Sequence, residues 1–346
     1  MPEPSAPILF EVRGHLGLVT LNRPDALNAL TRPMCALMRK MLEQWSGDDE
    51  IVAVAIRGLG PRAFCAGGDI RAMAKSSEQK TDEAAQFLKD EYRLNAAIGA
   101  FGKPFVALTH GVVMGGGAGV SVHGGFRAAS GDLLFAMPET GIGFVPDIGS
   151  SYFLSRCPGK AGIYLALTGA GIGLGEALEW GLMTHAISAG DHDVLISGLA
   201  EGVAVEKLLA AHRQPRPAPR IALDRERMNV AFSAPSVEAV LERLDRDGSP
   251  FSAQTARTLR GRSPFSLKLA FRLIKEGGKR TREDCLKMEY RVASRRVMDA
   301  DFREGVRAQL TDKDNQPRWV PAALAEVKDG DIAGYFAPLG AGELAI

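Results

Sequence analysis

Apolar residues fall along this chain in two rhythms, and the balance between them changes partway through. Ile8-Leu-Phe-Glu-Val and Leu16-Gly-Leu-Val-Thr-Leu are short apolar runs separated by Gly14-His15, which predicts two strands joined by a tight turn. Residues 34–45 carry apolar positions at helical spacing, and Thr31 with Pro33 marks where that helix starts. Ile51-Val-Ala-Val-Ala-Ile-Arg is an unbroken apolar run closed by Gly58 and Gly60, the pattern of a strand covered on both faces. A helical pattern over 82–98 and a second buried strand at Phe105-Val-Ala-Leu-Thr follow. Strand, helix and strand in succession predict an α/β core.

After Thr140 the strands thin out. Residues 159–167, 175–181 and 191–212 read as helices, with one short strand at Ala186-Ile-Ser. Gln214-Pro-Arg-Pro-Ala-Pro-Arg then sets three prolines in one heptad, which no helix can span. Beyond it, 237–244, 252–259, 266–274 and 282–298 are all helix-like. The expected division is an α/β core over 1–213 and a mostly helical region over 214–346.

Composition narrows the function classes. The 346 residues are 46% apolar and 24% charged, as in a soluble globular enzyme. Lys and Arg number 42 against 41 Asp and Glu, so no long-range field favours nucleic acid. Four scattered cysteines (Cys35, Cys65, Cys157, Cys285) form no Cys-x-x-Cys pair, and the first residues, Met1-Pro-Glu-Pro-Ser-Ala-Pro, carry no targeting pattern. Free thiols in a reducing cytoplasm are expected. The longest apolar stretch, 105–122, holds His110 and five glycines, so a strand and turn explain it better than a membrane span.

Common catalytic signatures are missing. Gly102-Lys103 and Gly159-Lys160 complete no phosphate loop, and Gly115-Gly-Gly-Ala-Gly lacks the third glycine of a dinucleotide turn. No Gly-x-Ser-x-Gly elbow occurs. The six histidines show no metal-ligand spacing, and no metal or separate cofactor is expected; His123, near the glycine run, is a weak pocket candidate.

What remains is two glycine-rich turns and two acids. Ala63-Phe-Cys-Ala-Gly-Gly-Asp69-Ile and His110-Gly-Val-Val-Met-Gly115-Gly-Gly117-Ala-Gly each follow a buried strand and lead into a helical pattern. Glycine lets backbone approach a ligand with its N–H groups outward, and two such turns together can aim two donors at one oxygen. Read singly, each turn is more often structural. Glu139 and Asp147 are the only charges between Leu133 and Tyr152, in a stretch rich in apolar residues, glycine and proline. Partly buried carboxylates of this kind serve as base, acid or nucleophile. The plainer alternatives are a solvated turn for Glu139 and a helix cap for Asp147.

These pieces resemble the crotonase (enoyl-CoA hydratase/isomerase) superfamily. Leu21-Asn-Arg-Pro-Asp-Ala-Leu-Asn-Ala, Ala63-Phe-Cys-Ala-Gly-Gly-Asp-Ile, Met114-Gly-Gly-Gly and Phe135-Ala-Met-Pro-Glu occur in family order. Within the superfamily the chain looks like its thioester-hydrolysing branch. Ser121-Val-His-Gly, Met137-Pro-Glu-Thr, Pro146-Asp-Ile-Gly, Met288-Glu-Tyr-Arg, Asp301-Phe-Arg-Glu-Gly-Val-Arg-Ala, Thr311-Asp-Lys-Asp and Pro317-Arg-Trp carry that likeness over almost the whole length.

The resemblance implies a ββα spiral core with a helical C-terminal region, and hydrolysis of a short 3-hydroxyacyl-CoA in valine degradation. The N–H groups of Gly68 and Gly116 would hold the thioester oxygen. Glu139 would act as base or nucleophile, and Asp147 would read the acyl hydroxyl or assist proton transfer. Glu91 would bind substrate, although a charged helix face rivals that role. Coenzyme A, part of the substrate, would run along Arg23, Ala26, Leu27, Ala66, Asp69 and Ile70. Relatives often assemble as trimers or dimers of trimers, so a homo-oligomer is expected, with no nucleic-acid or membrane partner.

One departure separates hydrolase from hydratase. Hydratases of the family place a second catalytic Glu where this chain has Gly119, and usually have glycine where it has Asp147. An unusual hydratase or isomerase, or a non-catalytic acyl-CoA-binding module, are the alternatives.

Overall fold

The computed structural model describes residues 6–346, so the first five residues of the N-terminal reading lie outside the described residues. β1 (Ile8–Arg13) and β2 (Leu16–Leu21) form the expected antiparallel pair, with Ile8 opposite Leu21 and Arg13 opposite Leu16. The chain then lays down β3 (Ala53–Gly58), β4 (Ala63–Cys65), β5 (Phe105–Thr109), β6 (Val112–Met114), β7 (Phe126–Ala129), β8 (Leu134–Ala136) and β9 (His185–Ala186). A six-stranded sheet runs β1-β2-β3-β5-β7-β9 and is parallel from β2 onward. Every residue of β2 and β5 is buried, as their unbroken apolar runs require when both sheet faces are covered.

A second, three-stranded sheet, β4-β6-β8, has no counterpart in the sequence reading. Each strand is three residues long, too short to set up a period. These strands carry both glycine turns.

The helices at Arg32–Ser46, Glu83–Gly99, Val237–Asp247, Pro250–Arg260, Pro264–Gly277 and Arg282–Arg296 match expectation within a few residues. The helix expected over 191–212 is instead two, His192–Ala200 and Val205–Ala211, broken where Gly202 turns at φ +78. The result is the expected α/β class.

The chain folds as two compact units that interleave along the sequence. One comprises Met1–Gly68, Arg93–Phe135 and Gly171–Arg220; the other comprises Asp69–Tyr92, Ala136–Ala170 and Ile221–Ile346. The first has a core of Leu18, Ala55, Val106, Leu108, Leu195 and Leu199. The second packs Val145, Leu269, Leu273, Met288, Val292 and Ile332. No helix among the described residues is long and apolar enough to cross a membrane.

Candidate active site

Two constellations carry the candidate chemistry, one in each unit. In the first unit β4 ends at Cys65 and delivers Ala66-Gly67-Gly68. Gly67 sits at φ +113, a conformation for which glycine is the residue of least strain. Hydrogen bonds stitch this turn to the 23–30 segment: Ala66 N–H donates to the Leu27 carbonyl at 3.0 Å, and Leu30 N–H to that of Gly67 at 2.8 Å. Leu27 and Asn28 both adopt positive φ, 50° and 56°. The buried Asn28 amide offsets that strain. Its oxygen accepts Arg23 N–H at 2.9 Å, and its nitrogen donates to the carbonyls of Leu59 at 3.0 Å and Ala63 at 2.9 Å. The structure thus brings Arg23, Ala26, Leu27 and Ala66 into one loop cluster.

β6 delivers the second turn. Gly115 turns at φ +47, and Gly116–Gly119 forms a single buried helical turn. A Cβ on Gly117 would overlap the Cys65 carbonyl, and one on Gly67 would come within 3.6 Å of the Gly116 nitrogen. The two turns lie backbone against backbone. Proximity of this kind is what a two-donor oxyanion hole requires.

Asp69 and Ile70 fall in the second unit. Ile70 opens the helix Ile70–Gln79, and Asp69 caps it by accepting Ala72 N–H at 3.3 Å. That cap is a structural task in its own right.

Acids dominate the second unit. Glu139 opens a short 3-10 turn, Glu139–Ile142, behind Pro138; it is 6% exposed and its Oε2 has no hydrogen-bond partner. The solvated-turn alternative does not hold. Asp147 is 5% exposed, and its Oδ2 accepts the Tyr92 hydroxyl at 3.0 Å, so the side chain does not cap a helix. Glu91, on Glu83–Gly99, is also buried, with Oε1 unpartnered, which rules out a charged solvent-facing side. Burial and the charge of Asp147 raise the pKa of Glu91 and of Glu139 well above the ordinary carboxylate range. Burial lifts Asp147 to about 7 while the Tyr92 hydroxyl opposes the rise. Titration of such neighbours belongs to the set rather than to any one member.

A fourth buried acid, Glu289, was not legible as a site residue. It lies on Arg282–Arg296, where its carboxylate accepts the N–H groups of Gly149 and Ser151, both at 2.6 Å. Burial raises it to about 8 against those donors. The signal was present: Cys285, Glu289 and Val292 share one helical face, so an acid stands in an apolar stripe. Between Asp147 and Ser151 the backbone is constrained. Ile148 adopts φ +57 and Gly149 φ +88, and a β-branched residue held there stores about 1–3 kcal/mol.

Burial, raised pKa values and, on Glu91 and Glu139, an unpartnered oxygen are the features of carboxyls that can serve as base or nucleophile. Known proteins point to one family. A family model described as enoyl-CoA hydratase/isomerase matches residues 16–336. The chain is 40% identical to "3-hydroxyisobutyryl-CoA hydrolase, mitochondrial" of Homo sapiens over 347 residues, 97% of this chain and 90% of that one. Its identity to the Gallus gallus protein of the same name is 42% over 351 residues, covering 98% and 91%. Among solved structures it is similar to a carnitinyl-CoA dehydratase from Mycobacterium thermoresistibile, with TM-score 0.94, 39% identity and 99% of both chains covered. An enoyl-CoA hydratase from Rhodobacter sphaeroides 2.4.1 gives TM-score 0.93 at 35% identity, covering 99% and 100%. The chain belongs to the enoyl-CoA hydratase/isomerase family, the crotonase superfamily that its glycine turns and Pro-Glu motif resemble.

Proposed function

We propose that this protein hydrolyses a short 3-hydroxyacyl-CoA thioester, 3-hydroxyisobutyryl-CoA or 3-hydroxypropionyl-CoA, to the free acid and CoA. The observation that carries the reading is the pairing of Glu139 with Asp147, both buried and both held above the usual carboxylate range. In this reading the N–H groups of Gly68 and Gly116 receive the thioester oxygen as it becomes an oxyanion. Each such donor supplies about 2.7–4 kcal/mol in enzymes where one has been removed. Glu139 takes a proton from water as the water oxygen attacks the carbonyl carbon, and it returns that proton to the CoA sulfur as the tetrahedral intermediate collapses to acid and thiol. Direct attack by the Glu139 carboxylate would instead expel the CoA thiolate and give a mixed anhydride, which water then cleaves to the free acid and the regenerated carboxylate. Asp147 binds the acyl hydroxyl, and Glu91 helps to seat the acyl group. A place in valine degradation follows from the substrate, and four buried cysteines outside any disulfide suit a reducing compartment.

Hydration of an enoyl-CoA is the second reading, favoured by the names of the two solved structures. Against it, Gly119 occupies the place of the second hydratase Glu, in the buried turn Gly116–Gly119. Water addition works with two carboxylates around one water; thioester cleavage needs one and an oxyanion hole.

The deciding experiment offers the purified protein 3-hydroxyisobutyryl-, 3-hydroxypropionyl-, isobutyryl- and crotonyl-CoA and follows free thiol and enoyl absorbance separately. Thiol release from the hydroxylated esters, with weaker release from isobutyryl-CoA, is expected, because a buried acid left without its hydroxyl partner penalises the analogue. Loss of enoyl absorbance without thiol would sink the hydrolase reading.

A further inference from the structure

We infer that Glu289 is a positioning residue for Asp147, acting through the turn that follows Asp147 and touching no substrate. The inference rests on the reading of Asp147 above and extends it to the C-terminal helix Arg282–Arg296. Three observations converge. Glu289 is fully buried, and its two oxygens divide between two backbone donors, Oε2 on Gly149 N–H and Oε1 on Ser151 N–H, each at 2.6 Å. Those donors flank Ser150, whose own N–H returns to the Asp147 carbonyl at 3.0 Å. The carboxylate therefore fixes the two residues on either side of the one that closes the turn.

The turn also needs holding. Ile148 and Gly149 stand in the left-handed region, and a branched side chain persists there only when its surroundings over-determine it. Two short hydrogen bonds to a side chain on a rigid helix do that. The neighbouring residue adds a second tie: the Tyr290 ring packs edge-on against Tyr92, with centroids 5.6 Å apart, and Tyr92 is the donor to Asp147. One helix thus governs both the backbone that carries Asp147 and the phenol that its carboxylate meets.

Glu289→Gln is the direct test. The amide keeps one acceptor and turns an NH2 toward the other N–H, so one of the two bonds must be lost. With 3-hydroxyisobutyryl-CoA, kcat/KM should fall at least about tenfold. Amide exchange of Gly149 and Ser151 should quicken while the rest of the second unit keeps its protection. On an Asp147→Asn background the same substitution should cost little more, because residues acting through one another are not additive. Glu289→Asp, which keeps the carboxyl but draws it back by one carbon, gives a second variant should the glutamine protein not fold, with the same local exchange and the same coupling expected.

Full multiplicative loss on both backgrounds would give Glu289 a general structural role and overturn the inference. So would unchanged exchange at Gly149 and Ser151 in a protein that Asp147→Asn impairs. An Asp147→Asn protein as active as wild type would instead remove Asp147 from the reaction, and the inference would fall with that reading.

Discussion

The Tyr92 hydroxyl donates to Oδ2 of Asp147 across 3.0 Å, and both side chains are buried. Burial and the nearby acids hold the phenol protonated far past its ordinary range, with desolvation the largest cause and Asp147 the next. The bond is therefore a permanent donor to whichever state Asp147 adopts, and it favours the anion.

Tyr92→Phe removes that donor and leaves a ring to face Tyr290. Hydrogen bonds to charged groups contribute about 1.5–3 kcal/mol. The variant should retain its fold by circular dichroism and lose roughly ten- to a hundredfold in kcat/KM for a hydroxylated ester. Its Asp147 should also ionise at higher pH than in wild type. Wild-type kinetics in the phenylalanine protein would show the bond to be idle in the reaction.

Glu139→Gln tests the base or nucleophile. A positioned proton acceptor contributes about a hundred- to ten-thousandfold. Turnover should drop by at least about a hundredfold, with KM near that of wild type because the amide is almost the same shape. Near-normal kcat would take the chemical step away from Glu139.

The pH profile follows from the acid cluster. In the proposed reaction Glu139 acts as its anion, and burial, then Asp147, raises its pKa. The acid limb of kcat/KM should therefore lie above pH 4–5, where ordinary carboxylates titrate. Asp147→Asn deletes a negative neighbour, so Glu139 should ionise more easily and the limb should move to lower pH. Desolvation remains, so the limb should stay above the ordinary range. A limb that stays in place or moves up in the asparagine protein contradicts the coupling.

Stability should carry the opposite mark of the same cluster. Glu91 has a folded-state pKa raised above its unfolded value of about 4.5 by burial and by Asp147. Above that unfolded value the native state holds the proton more tightly, so stability falls as pH rises toward and through the folded pKa. Glu91→Gln cannot titrate. Its unfolding temperature should exceed that of wild type at pH 8, by about 2–4 °C for each kcal/mol relieved, and the gap should close near pH 4.5. Activity should fall meanwhile, the usual trade at a functional site. Equal unfolding temperatures at both pH values would mean that Glu91 is not strained as an anion.

Much of this was legible because long elements announce themselves. The parallel strands at Ala53–Gly58 and Phe105–Thr109 are continuous apolar runs, and the helix Arg282–Arg296 repeats at helical spacing. Glu139 and Asp147 stood out because no other charge lies near them in sequence. The three-residue strands of the second sheet left no period to read. Glu289 stood in an apolar stripe with Cys285 and Val292, but Arg282, Glu283, Lys287 and Arg291 around it masked that signal among other charges. Tyr92 could not be found from sequence at all, because its partner is 55 residues away and only folding supplies the contact.

The contact of Gly117 with the Cys65 carbonyl has a further consequence. Side chains in a core can repack to absorb a change in volume, but two peptide groups in contact have nothing to rearrange. The gap between the turns is thus a fixed gauge, set by atoms that every sequence shares. Substitutions elsewhere in the β4-β6-β8 sheet will carry both turns together before they widen that gap. A methyl group at 117, by contrast, acts as a shim: it spreads the turns directly, and no compensating trim of a neighbouring side chain can restore the spacing.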